Sequence, residues 1–405
     1  MKNILLLTTI YPLPTSRNLG TKVCHYFAQD WVRLGYNVRV IHFQAVFPGL
    51  YYLPLKFIHK QVLAKTGAVV YQSPDKTIQR YVMDDIPVTR IPLLKLIPHG
   101  KFIQSKIDKS IDSIISQLET EGYIPDIIVG HFHNPILEVV VKLKKKYVNA
   151  ATAIITHGAN YQMPRIYGNK LLDFVSLIDC WGFRSNVIKR DFEKYVTIVE
   201  KTFMCYSGVP ESYIAKKNKH IYDGKMHRYL YVGSLIKRKH PAALLLALNE
   251  AHPEGDFEIK YVGDDGDEGK KIRKYAKQLN RENNIQILGK IPRDKIIDLY
   301  DWSDCMMMIS EGEAYGLVYL EAMARGCLTI ASYNEGFDGV IKNGENGFLC
   351  NAGDWKMLAN IVKGIQSMPD YEKQKVSDKA IETAKWLTDI NVAKMYIEDV
   401  IRLSK

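Results

Sequence analysis

The chain has 405 residues, 47% hydrophobic and 24% charged, which is enough length and apolar content for two cores. A formal net charge of +11 suits nucleic acid, anionic lipid or phosphorylated ligands. No nucleic-acid-binding module, zinc finger or basic-aromatic tail is present, so lipid surfaces and phosphate ligands remain. The 6 cysteines are scattered without a Cys-x-x-Cys pair, which argues against structural zinc or a disulfide framework and for a reducing compartment. No apolar run approaches the ~20 residues of a membrane-spanning helix.

Asn3 to Thr9 is apolar, lacks a small-residue cleavage site and is stopped by Tyr11-Pro12, so a first buried strand is expected there rather than a leader. A loop to Gly20 follows. Next comes a helix with Val23, Phe27 and Trp31 on its apolar side, closed by Gly35, and then a strand from Asn37 to Phe43. This β-loop-α-β opening predicts an α/β fold with a parallel, doubly wound sheet. The pattern weakens from Val46 to Lys109, where Tyr51 to Lys60 and Leu93 to Lys106 set lysines among aromatics and leucines. Such interleaving fits an anionic membrane face.

Ile124 to His131 is the next strand, entering a loop with His133, and Ala151 to Ile155 leads to Thr156-His157-Gly158. Val175 to Cys180 and Thr202 to Cys205 complete a first domain, placed at residues 1–208. After the polar stretch Lys216 to Lys225, a strand at Tyr229 to Val232 runs into Gly233-Ser234 and then Arg238-Lys239 before a leucine-rich helix. A glycine followed by cations at a helix entry makes a phosphate clamp. Strands at Phe257 to Val262, ending in Gly263, and at Ile285 to Ile291, including Lys290, continue a second domain over residues 209–385. A single terminal helix is expected from Trp386 to Leu403, within a C-terminal piece at 386–405.

The most informative stretch runs from Met308 to Gly326. Cys305 to Ile309 is a buried strand by its apolar run, Ser310 to Ala314 a loop, and Leu317, Leu320, Met323 and Ala324 fall on one helical face that Gly326 ends. Glu313 therefore lies at a strand's carboxyl end and Glu321 early in the next helix. Between them the N–H groups of Gly316 and Leu317 point out of a helix N-terminus, where phosphate binds readily. Two carboxylates flanking an anion site suit a sugar nucleotide, which carries diols at both ends of its diphosphate.

The pattern Ser310-x-x-Glu313, then Glu321 eight residues on, with Gly316 between and Ala322-Met323-Ala324-Arg325-Gly326 after it, resembles the signature of the family 4 retaining glycosyltransferases. The resemblance implies the GT-B fold: two doubly wound, Rossmann-like domains facing a central cleft, with the C-terminal helix crossing back to the first. It implies transfer of a sugar from a nucleoside-diphosphate donor, a UDP-sugar before a GDP-sugar, to an acceptor hydroxyl with retention and without a metal or other cofactor. The acceptor would be a lipid-linked or growing surface-polysaccharide glycan, and the enzyme cytoplasmic or peripheral on the inner membrane face. By position, Glu313 would contact the donor sugar and Glu321 the ribose. Lys239 would neutralise the diphosphate, and His157 would reach sugar and phosphate from the first domain. Gly20, Gly233, Ser234, Arg238, Gly263, Lys290, Ile291, Ala314, Tyr315, Gly316 and Leu317 would line the donor, and His131 and His133 would face the acceptor. Ser234 stands where the family has arginine, and Arg238 is the candidate replacement. A nucleotide-sugar isomerase or epimerase of the same fold and a non-catalytic sugar-nucleotide sensor are the competing classes.

Overall fold

Long apolar runs alternating with amphipathic helices build two mainly parallel sheets, each in its own unit. The computed structural model describes residues 1–14, 22–48, 75–97, 99–196 and 199–405. Gly20 and the stretch from Tyr51 to Lys60 lie outside the described residues. One unit consists of Met1–Arg184, Ile188–Cys205 and Ala393–Lys405, the other of Ser185–Val187 and Tyr206–Val392.

In chain order the first unit contains β1 (Asn3–Thr8), α1 (Val23–Arg33), β2 (Asn37–Val46), β3 (Gln79–Met83), β4 (Ile86–Leu94) and α2 (Gln104–Thr120). It continues with β5 (Ile127–His131), α3 (Ile136–Lys146), β6 (Ala151–Thr156), α4 (Met163–Tyr167), α5 (Leu171–Ser176), β7 (Cys180–Phe183), α6 (Asn186–Glu193) and β8 (Thr202–Met204). The sheet order is β3-β4-β2-β1-β5-β6-β7-β8. Ile4 to Leu7 on β1 have no exposed surface, as expected of a central parallel strand covered on both faces. The weak region after Val46 contains an element the periodicity did not predict, the antiparallel β3–β4 hairpin at the sheet edge. Its turn residues Asp84 and Asp85 both have positive φ, 49° and 63°, which suits the short aspartate side chain.

The second unit contains β9 (Arg228–Val232), α7 (Pro241–Ala251), β10 (Glu258–Val262), α8 (Asp267–Leu279), β11 (Ile285–Gly289), α9 (Ile297–Trp302) and β12 (Cys305–Met307). After these come α10 (Leu317–Arg325), β13 (Leu328–Ser332), β14 (Phe348–Cys350), α11 (Trp355–Ser367) and α12 (Asp370–Trp386). All its strand pairs are parallel, in the order β11-β10-β9-β12-β13-β14. That is the 3-2-1-4-5-6 order of a dinucleotide-binding fold.

The terminal helix is not continuous from Trp386. It stops there and resumes as α13 (Asp389–Leu403). At the break the Val209 N–H donates to the Leu387 carbonyl (3.1 Å) and the Asp389 N–H to the Val209 carbonyl (2.9 Å). These backbone groups are satisfied across chain rather than along a helix. From Ala393 onward α13 belongs to the first unit, where the Trp31 indole donates to the Ala393 carbonyl at 3.0 Å. All six cysteines are free and buried.

The first unit also buries His42, His131 and His133, and desolvation pushes their pKa values down to about 3, about 3 and about 4. Their folded pKa values lie below the unfolded value, so the unfolded chain binds more protons and stability falls as pH drops below 6.5. Each should cost roughly 1 kcal/mol between pH 7 and 5.5. In the second unit only His220 is pushed down as far, to about 4, again by burial. Hydrogen exchange read separately for the two units should therefore show the first loosening earlier on acidification. Equal protection of both units at pH 7 and 5.5 would contradict this account.

Candidate functional site

In a doubly wound sheet the flanking loops part where the strand order reverses, opening a crevice at the carboxyl ends of the two central strands. In the second unit this point lies between β9 and β12. It brings together the loop from Gly233 to His240 and the loop from Met308 to Gly316. The two loops are joined by backbone and side chain. The Glu311 N–H donates to the Arg238 carbonyl (2.7 Å), and the Arg238 guanidinium donates to the carbonyls of Glu311 (3.0 Å) and Gly312 (3.4 Å).

This joining places the Lys239 ammonium 3.3 Å from Glu313 Oε2, with the two side chains 15% and 17% exposed. At that separation and an effective dielectric near 20 the attraction is about 5 kcal/mol before desolvation is subtracted. The contact is ionic rather than a well-formed hydrogen bond, and Glu313 Oε2 is a buried oxygen with unfilled acceptor capacity. The Glu313 N–H is held by Glu335 Oε2 at 2.8 Å. Glutamate 335 and Gly336 were not singled out from the sequence, because neither belongs to the signature. A Cβ at Gly336 would lie 2.5 Å from the Glu313 carbonyl oxygen, and a backbone approach of this kind leaves no periodic trace in the sequence.

Two glycines let the strand ends close. A Cβ on Gly263, after β10, would fall 1.9 Å from the Gly233 carbonyl, so only glycine admits this approach. Gly316 caps α10 with φ 93°, and its missing Cβ leaves room for the Tyr319 ring. The Tyr319 hydroxyl donates to the Met308 carbonyl (2.7 Å) and lies 3.3 Å from Ser310 Oγ, so the signature serine is a buried support. Ala314 and Tyr315 lie on the same loop, with the Tyr315 hydroxyl donating to the Ser207 carbonyl at 2.7 Å. The N–H groups of Leu317 and Val318 open α10 and have no intrahelical acceptor.

Glu321, one turn into α10, is 5% exposed. It accepts from Arg293 Nε (2.8 Å) and from the Tyr300 hydroxyl (3.0 Å). Burial lifts its pKa, while Arg293 and Tyr300 pull it back. These two partners also escaped the sequence reading: Arg293 follows β11 and Tyr300 lies on α9, and only folding sets them beside the helix. Of the remaining donor-side candidates, Ser234 is exposed, Lys290 pairs with Asp264 (2.8 Å) at the rim of β10 and β11, and Ile291 follows it.

The first unit has its own reversal between β1 and β5. His131 ends β5 and His157 follows β6. His131 has no exposed surface and hydrogen-bonds His157 (2.9 Å), while His133 is buried with Nε2 3.3 Å from the Ala159 carbonyl. Burial, then His131 and Arg184, hold the His157 pKa well below its ordinary value.

Solved structures with the same architecture cover essentially the whole chain. A glycosyltransferase from Rickettsia africae ESF-5 superposes with a TM-score of 0.69 at 19% identity, covering 100% of this chain and 99% of that one. HepE of Anabaena, in complex with UDP and glucose, gives 0.64 at 16%, covering 99% and 100%. The fold is GT-B. Residues 213–385 match the family described as "Glycosyl transferases group 1", a stretch that takes in β9 to α11, nearly all of α12, and Lys239, Glu313 and Glu321. N-acetyl-alpha-D-glucosaminyl L-malate synthase of Bacillus anthracis is 34% identical over 143 residues, 35% of this chain and 36% of that protein. The matched stretch thus spans about a third of that relative's length.

The Glu321 contacts generate a stability expectation. Glu321→Ala leaves the fully buried Tyr300 hydroxyl without its acceptor, a loss of roughly 1–3 kcal/mol. Glu321→Gln keeps an acceptor oxygen and should lose less. Urea unfolding of the two variants checks this ranking, and an alanine variant as stable as the wild type would contradict it.

Proposed function

We propose that the protein is a retaining glycosyltransferase that moves a sugar from a nucleoside-diphosphate donor to an acceptor hydroxyl. The observation that carries this reading is the Lys239–Glu313 pair at the β9/β12 reversal, set beside the N-terminus of α10. A departing diphosphate needs positive charge where it develops, and an ammonium with helix N–H groups supplies that in fixed positions. Glu313, with an unfilled acceptor oxygen next to the cation, suits sugar hydroxyls. Glu321, already aligned by Arg293 and Tyr300, suits the ribose diol. His157, on the first unit, is our candidate for a further donor to a ligand oxygen. The UDP and glucose bound in the Anabaena HepE structure favour a uridine donor.

We read the reaction as metal-independent, because Lys239 and the α10 amides can hold the diphosphate themselves. Among the described residues the one group suited to a metal ion is His227, His252 and Asp256. It lies around the amino end of β9, at the opposite end of the strand from Lys239. Arg238 spends one nitrogen on loop carbonyls, and its remaining donors are our candidates for the phosphate contact that Ser234 cannot make.

For the acceptor we propose a lipid-linked or surface glycan met at an anionic membrane. Among the described residues no helix is long and apolar enough to cross a membrane. Leu96 and Ile97 are 58% and 50% exposed, and Lys101 and Lys106 beside them are exposed. Lys95 is different: it lies over the Phe102 ring, and burial pulls its pKa down to about 8.

The reading is tested with a panel of nucleotide sugars. Glu313→Gln should lower turnover on the order of 10²–10³-fold with little effect on free UDP binding. Glu321→Gln should weaken free UDP by about 1.5–3 kcal/mol, roughly 10- to 150-fold. Equal losses of UDP affinity in both variants would sink the division of roles, and activity abolished by a chelator and restored by magnesium would overturn metal independence. Membrane contact is checked by sedimentation with vesicles rich in phosphatidylglycerol. Each lysine near the surface contributes about 1 kcal/mol, so binding should fall steeply as salt rises. Failure to sediment at low salt would retire the membrane acceptor.

A further inference from the structure

His157 does not stand alone in the first unit. Its Nε2 lies 2.9 Å from His131 Nδ1, and His131 Nε2 lies 3.2 Å from the hydroxyl of Tyr396 on α13. The inner end of the chain is enclosed: Tyr396 is packed edge-on against Phe27 and Trp31, each with ring centroids 5.2 Å away. Phe132 stacks on His157 at 4.1 Å from a backbone with φ 70°, a conformation costly for a bulky residue and typical of functional sites. The Arg184 guanidinium is buried nearby, donating to the Cys205 carbonyl at 2.6 Å. Its charge adds to burial in keeping both imidazoles neutral.

Two neutral imidazoles and one hydroxyl allow only two arrangements of protons. In one, Tyr396 accepts from His131. Its own proton then has no acceptor, because His131 is the hydroxyl's one hydrogen-bond partner among the described residues. A buried donor left unmade is costly. In the other, the Tyr396 O–H donates to His131 Nε2, the His131 proton sits on Nδ1 and is donated to His157 Nε2, and the remaining His157 proton must sit on Nδ1. Every polar atom of the buried pair His131 and Tyr396 is then satisfied, and the one proton left over sits on Nδ1 of the half-buried His157.

We propose that His131 and Tyr396 are positioning residues that fix His157 as its Nδ1–H tautomer, so that it offers a hydrogen-bond donor, and no acceptor, to a ligand oxygen. This rests on the glycosyltransferase reading for the identity of the ligand, and on geometry alone for the tautomer. With Nε2 occupied by His131, His157 can neither accept at Nδ1 nor act as a base there. It is a fixed donor, suited to the charge that builds on oxygen as the diphosphate leaves.

Nitrogen NMR of the full chain labelled in histidine tests this directly, with the His157 signal assigned by its loss in His157→Gln. The expected result is a protonated Nδ1 and an unprotonated Nε2 on His157 in the wild-type protein. Tyr396→Phe removes one oxygen from an otherwise unchanged ring, so the His157 signals should move toward a mixture of tautomers. In the same variant kcat should fall ten-fold or more, with the KM for the nucleotide sugar near its wild-type value. Wild-type His157 protonated at Nε2, or a tautomer unmoved by Tyr396→Phe, overturns the proposal whether or not sugar is transferred. Tautomers as expected, in a wild-type protein that transfers no sugar from any donor, support the relay and count against the glycosyltransferase reading instead.

Discussion

The second unit depends on one constraint: β9 and β12 are neighbours although three helices and two strands separate them in sequence. That adjacency forces the chain to leave the sheet in opposite directions after the two strands, and the loops that follow must share the space between. Lys239 and Glu313 are then brought within 3.3 Å. On the other side of β9 the ends of β9 and β10 approach so closely that a Cβ on Gly263 would fall 1.9 Å from the Gly233 carbonyl oxygen, which only glycine admits. The cation, the carboxylate and the opening of α10 are thus consequences of strand order.

Burial decides how the charges behave. A carboxylate as hidden as Glu321 is tolerated because Arg293 and Tyr300 each donate to it, and those bonds also fix where its oxygens point. Arg325, on the same helix, is treated alike by Asp301, whose oxygens lie 2.6 and 2.9 Å from it. Helix α10 is therefore anchored on its polar side by ion pairs and on its apolar side by the sheet. Its N-terminus, where function is proposed, is the end that stays accessible. In the first unit the solution is reversed: His42, His131 and His133 are buried without a carboxylate partner and remain neutral, so that His131 and His133 act as directional hydrogen-bond elements rather than charges.

Much of this was legible in the sequence because it is local. The α/β class follows from apolar runs alternating with amphipathic stretches, and the helix from Leu317 to Arg325 with glycines at both ends follows from spacing and φ preference. The placement of Glu313 in a loop and Glu321 in a helix follows from the same reading. The hairpin from Gln79 to Leu94 was not legible, since an edge strand is half exposed and its apolar positions are few. The break at Leu387 was hidden too, because the residues around it favour a helix and only Val209 interrupts it.

What the sequence by itself determined is the chemistry on offer: a glycine-cation loop, two carboxylates eight residues apart and a histidine after a strand. Short-range periodicity and backbone preference carry that information. What only the tertiary structure decided is who holds each group. Glu335 holds the Glu313 backbone across 22 positions, Arg293 grips Glu321 across 28, and Tyr396 reaches His131 across 265. Partners so far apart leave no pattern along the chain. They are chosen when burial removes water from a polar atom and the nearest available donor or acceptor must take its place.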